Sequence, residues 1–180
     1  MTSRKIVRLA VPLTLACALL FQTDLSAQQK KDLTDPEIAS VAVVANQIDI
    51  NYADIALQKS KDKAIINFAE TMKRDHKAVI GQATALVQKL GVTPKDNAVS
   101  ESLLSQAAQT RQSLQKKSGA RFNKAYIDNE VAYHKAVINA VEQQLIPQAD
   151  NAELKQLLEN VVPALKAHLE HAEMVQKNYK

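Results

Sequence analysis

The stretch from Ala64 to Leu90 constrains the fold more than any other part of the chain. Its apolar residues, among them Ile65, Phe68, Met72, Val79, Ala83, Leu86 and Leu90, recur at the i, i+3, i+4, i+7 spacing of one helical face. His76 falls on that face, four residues after Met72 and three before Val79. A histidine among core residues needs a hydrogen-bond partner, a metal or a cavity, because burying an unpaired polar group is costly. The helix has a clean stop, with Gly91 just past Leu90 and Pro94 shortly beyond.

The same rhythm continues on both sides. Thr34 and Glu37 stand at capping-box spacing with Pro36 in the first turn, opening a helix through Ile38, Val41, Ile48, Tyr52 and Ile55. The charged run Lys59 to Lys63 breaks the rhythm and predicts a turn or bend. Asp96 or Asn97 can cap a third helix, through Leu103 and Leu114, that runs out at Ser118 and Gly119. A fourth carries Phe122, Tyr126, Val131, His134 and Leu145 as far as Pro147. Asp150, three before Glu153, is expected to cap a fifth through Leu154, Leu158, Leu165 and His168, with a kink at Pro163. No segment alternates as a strand would, and helices of this length with short loops make an antiparallel bundle.

Residues 1–27 read as a secretory signal peptide rather than as part of the fold. Arg4, Lys5 and Arg8 form its basic start, Leu9 to Phe21 its apolar run, and Ala27 a small residue at the cleavage point. The run is shorter than the roughly 20 residues that span a bilayer, so no transmembrane segment is expected in the mature chain. A periplasmic location follows, with a lipoprotein anchored through Cys17 as the minor alternative, disfavoured by Thr14 in the lipobox. Residues 28–35 read as a flexible leader, and 36–180 as the bundle domain.

Removing the signal leaves 20 basic and 18 acidic residues, a net charge of +2, and no cysteine. An exported chain without cysteine has nothing to mispair in an oxidising compartment. No basic block is interleaved with aromatics, so no nucleic-acid binding is expected. Neither a nucleophile motif nor a glycine-rich phosphate loop occurs, so nothing points to an enzyme. Glu70 and Arg74 are spaced as an ordinary helical surface pair.

The four histidines carry whatever chemistry there is. His76, His134 and His168 occupy the apolar stripes of three different helices, and His171 lies one turn beyond His168. Neutral imidazoles on facing helices can meet in a bundle core and bind zinc, copper or iron. Glu130, four before His134, is an oxygen candidate, as are Asp49, Asp54 and Asp75. The competing reading packs each ring in the core against a carbonyl, tyrosine or carboxylate. A di-iron centre lacks its carboxylates, since Lys73, Val131 and Leu165 occupy the positions three before His76, His134 and His168.

Phe68, Ala69, Met72, Asp75 and His76, then Phe122, Tyr126, Val131 and His134, then Pro163 to Leu169, together resemble the bacterial domain-of-unknown-function family catalogued as four-one-four-two. The resemblance covers about Pro36 to Tyr179 and departs at Asn123, where the family usually has an aspartate. It implies an all-α, ferritin-like antiparallel four-helix bundle with one additional helix, exported, with His76, His134 and His168 as signature histidines and no established activity. Two readings of function remain open. One is an exported, non-enzymatic binding or stress-related module, with a protein partner or homo-oligomer; the other is a metal-binding bundle with His76, His134 and His168 as ligands, completed by His171 or Glu130.

Overall fold

The structure, a computed structural model, describes residues 32–179. The expected signal peptide, Cys17 and most of the leader lie outside the described residues. All regular elements among them are helical: α1 (Asp35–Lys59), α2 (Lys63–Lys89), α3 (Ala98–Gln115), α4 (Gly119–Ala140), a π-helical turn (Val141–Leu145), the short α5 (Ile146–Gln148), α6 (Ala152–Gln176) and a closing 3-10 turn.

Local chemistry explains most of these ends. The Glu37 carboxylate accepts from the Thr34 backbone N–H at 3.0 Å and from its hydroxyl at 2.7 Å, fixing the start of α1. Asp62 caps α2 by accepting from Ala64 and Ile65, and Asn97, rather than Asp96, caps α3. Gly91 adopts φ 64°, and its N–H and that of Val92 close back on Gln88 and Val87, the left-handed finish that glycine permits.

Two details differ from the sequence reading. Asn151, not Asp150, caps α6, accepting from Glu153 and Leu154 at 2.9 and 3.0 Å. The backbone N–H groups of Asp150 and Asn151 instead donate to the Asp35 carboxylate, so a residue at the start of α1 decides how the loop is used. The fourth helix does not run as a plain α-helix to Pro147 but widens into the π turn first. The Pro147 ring would crowd the carbonyl of Gln143, four residues back, and a wider turn relieves that contact. Pro163 lies inside α6, which stays helical on both sides of it.

Helices α1, α2, α6 and α4 pack in a ring, each against the next, and α3 lies mainly against α1. This is the expected four-helix bundle with one additional helix. Two apolar clusters fill it. One holds Ile65, Phe68, Met72, Phe122, Tyr126 and Ala172; the other holds Ile38, Val41, Leu145, Leu154, Leu158 and Leu165. Between them lies a polar layer: on each helix of the ring, Asp49, His76, His134 or His168 falls between residues of the first cluster and residues of the second.

Candidate metal centre

Three of the four histidines meet. The ring centroids of His76 and His134 are 5.7 Å apart, those of His76 and His168 5.3 Å, and those of His134 and His168 5.6 Å. One ring nitrogen from each lies within 4.8 Å of the others. All three side chains are buried, and they reach this point from α2, α4 and α6.

Each imidazole has its outward nitrogen engaged by an acceptor that fixes the tautomer. His76 Nδ1–H donates to Asn46 Oδ1 at 2.7 Å, and the Asn46 amide is oriented by its own donation to the Ala42 carbonyl at 2.8 Å. His134 Nδ1–H donates to the Glu130 carbonyl at 3.0 Å, and His168 Nε2–H donates to Asp75 at 3.0 Å. The remaining nitrogens, His76 Nε2, His134 Nε2 and His168 Nδ1, are buried and have no hydrogen-bond partner among the described residues. Neutral rings with an unshared lone pair inward and a donor held outward are how histidines are prepared to bind a cation.

A carboxylate lies against two of the three. Asp49, fully buried on α1, sets Oδ2 3.4 Å from His76 Nε2 and 3.6 Å from His134 Nε2, and its carboxylate shares a hydrogen bond with the Glu130 carboxyl. Donors bound at about 2.0 to 2.1 Å around a tetrahedral ion stand roughly 3.4 Å apart, so these spacings suit a shared ion. Glu130, also fully buried, forms a second group with Asp49 and His134. Its Oε2 approaches His134 from the Nδ1 side at 3.7 Å, behind the ring, so Asp49 rather than Glu130 faces the free nitrogens of His76 and His134.

The electrostatics follow from burial. Desolvation pushes Asp49 up to about 7 and Glu130 well above the usual carboxylate range, the latter also because of the Asp49 charge beside it. Desolvation brings His76 down to about 3, helped by the neighbouring imidazoles, and His134 down to about 4. His168 is lowered by burial as well, against the pull of Asp75. Near neutrality all three rings are therefore uncharged electron-pair donors. Burial acts to raise Asp75, but hydrogen bonds from Arg74 and His168 outweigh it and hold its carboxyl low.

The other sequence candidates lie elsewhere. His171 belongs to neither group; its ring stands edge-on to Phe68, centroids 5.1 Å apart. Asp54 pairs with Lys73 at 2.6 Å. Arg74 hydrogen-bonds Asp75 at 2.8 Å rather than pairing with Glu70, which links it through Asp75 to His168. The role of Asn46 was not read from the sequence. Its signal was a polar residue three before Asp49, two side chains placed within an otherwise apolar helix face.

The profile of a family described as a domain of unknown function, DUF4142, matches residues 21–175. Among curated proteins no relative matches the chain. Solved structures share its fold. CopM in the Cu(II)-bound form is 17% identical, with a TM-score of 0.62 over 82% of this chain and 100% of that one. The apo form and the Ag-bound form of CopM are each 16% identical, with a TM-score of 0.62 over 82% of this chain and 98% of theirs.

Proposed function

The chain belongs to the DUF4142 family, and on that premise we propose that it is an exported metal-binding bundle that holds one divalent transition-metal ion on His76, His134, His168 and Asp49. The observation that carries this reading is the meeting of three buried imidazoles, each with one nitrogen left without a partner, two of which face the buried Asp49 carboxylate. The core-packing reading requires a partner for each of those atoms, since buried polar groups are satisfied as a rule.

Copper(II) leads among the candidates. Nitrogen and oxygen donors follow an affinity order that peaks at copper(II), and no sulfur atom belongs to the group. The same fold carries Cu(II) and Ag in CopM. Zinc is the runner-up, because a tetrahedral set of imidazoles and one carboxylate suits it. No helix among the described residues is long and apolar enough to cross a membrane. Residues 1–27 support export, which would set the centre in the periplasm.

Elemental analysis of the mature protein, purified without a metal-affinity tag, tests the proposal. About one equivalent of copper or zinc is expected, and it should vanish in a His76→Ala, His134→Ala double variant. A metal-free wild type that gains no thermal stability from added copper(II) or zinc would overturn it. Intact mass of the exported protein checks the processing, with Gln28 the expected first residue.

A further inference from the structure

A cavity of about 680 Å³ is lined at one end by Asp49, His76, His134 and His168. From there its walls come from the first half of α1, the second half of α2, the middle of α3, the end of α4 with the π turn, and the first half of α6. Beyond the polar end the lining side chains are mostly alanines, valines and leucines, with the exposed Gln82, Gln106 and Asn160 and the half-buried Thr110 among them.

Packed helices leave little room between them, so a partly open apolar cleft of this size is a distinct feature. Ala42, Ala83 and Ala140 hold this one open where leucine would occupy part of it. An apolar chamber of this size with a few convergent polar groups at one end has the form of a small-molecule site. The polar end also specifies the head group. A divalent ion on three neutral imidazoles and one carboxylate keeps a net positive charge, and it faces the chamber. A singly charged oxygen donor neutralises it, while an aliphatic tail fills the space behind.

We propose that the cavity binds an aliphatic monocarboxylate of the medium-chain fatty-acid class, its chain among the alanines, valines and leucines and its carboxylate on the metal held by His76, His134 and His168. This rests on the metal-binding reading above. The probes are decanoate and decan-1-ol, which share a chain and differ in the head. Calorimetric titration of the copper(II)-loaded chain should show one decanoate bound, with a shift in the copper(II) electron paramagnetic resonance spectrum that decan-1-ol does not cause. Ala83→Phe, two turns beyond His76 on the same face, should weaken decanoate by about tenfold or more through lost chain space while leaving the metal content unchanged. Ala42→Leu, a smaller intrusion from α1, should weaken it in the same direction should the first variant fold poorly. Absence of saturable decanoate binding, or equal binding by wild type and both variants, overturns the inference. Binding that leaves the spectrum unmoved overturns the metal-bound head. A chain that takes up no metal fails the metal reading and this one together, whereas a metal-loaded chain that ignores decanoate fails this one alone.

Discussion

Asp49 Oδ2 stands 3.4 Å from His76 Nε2, a buried nitrogen with no hydrogen-bond partner. A neutral imidazole lone pair facing a carboxylate oxygen is repulsive unless a proton or a cation lies between them. The pair therefore behaves differently with and without metal.

Without metal, Asp49→Asn should stabilise the fold at neutral and alkaline pH. The folded pKa of Asp49 is raised from 3.8 to about 7, so between these values the folded chain keeps a proton that the unfolded chain has released. Stability linked to this group is full below the unfolded value and lost as pH rises through about 7. Above that, the metal-free variant should exceed wild type by roughly 2 to 4 kcal/mol, the gap closing toward pH ~4. Urea denaturation across pH measures it. His76 and His134 act in the opposite direction, contributing stability above their ordinary value of 6.5 that is lost on acidification.

Metal loading near neutrality should release about one proton. The imidazoles are already neutral there, so the proton comes from the Asp49 and Glu130 pair. Calorimetry of copper(II) binding in buffers of different ionisation enthalpy reads the number directly, and a buffer-independent heat would contradict it.

Asn46→Ala should weaken metal binding by about 10- to 100-fold without removing a ligand, because His76 loses the acceptor that fixes its tautomer. Competition against a chelator of known affinity would show this. An unchanged affinity would make Asn46 a mere neighbour.

His171→Ala should leave metal affinity unchanged. Its cost is the edge contact with Phe68, on the order of 0.5 to 1.5 kcal/mol of stability. Loss of metal in this variant would restore His171 as a ligand.

Asn151→Ala should destabilise the fold by about 1 kcal/mol, while Asp150→Ala should cost less, since only Asn151 caps α6 with its side chain. Thermal unfolding of the two variants separates them.

The helices, and the meeting of three histidines in the core, were legible because both rest on periodicity. His76, His134 and His168 sit on apolar stripes, and stripes on facing helices must meet. What escaped depends on contacts distant in sequence. Asn151 rather than Asp150 caps α6 because Asp35, 115 residues before Asp150, takes up the N–H groups of this loop. Asn46 belongs to no motif, and only the fold turns it toward His76. The π turn answers to Pro147, whose effect reaches backward along the chain further than a simple helix stop. His171 follows His168 by a single turn, yet the rotation that one turn leaves is enough to aim it at Phe68.

The polar layer between the two apolar clusters also indexes the four helices against one another. Sliding α2 by one turn, ~5.4 Å, would bring Met72 or Ile80 opposite Asp49 and carry His76 into hydrocarbon. A uniformly greasy interior could absorb such a slip; this one would strand a carboxylate and an imbalance of lone pairs. The residues costliest to bury are thus the ones that exclude every other alignment of the bundle.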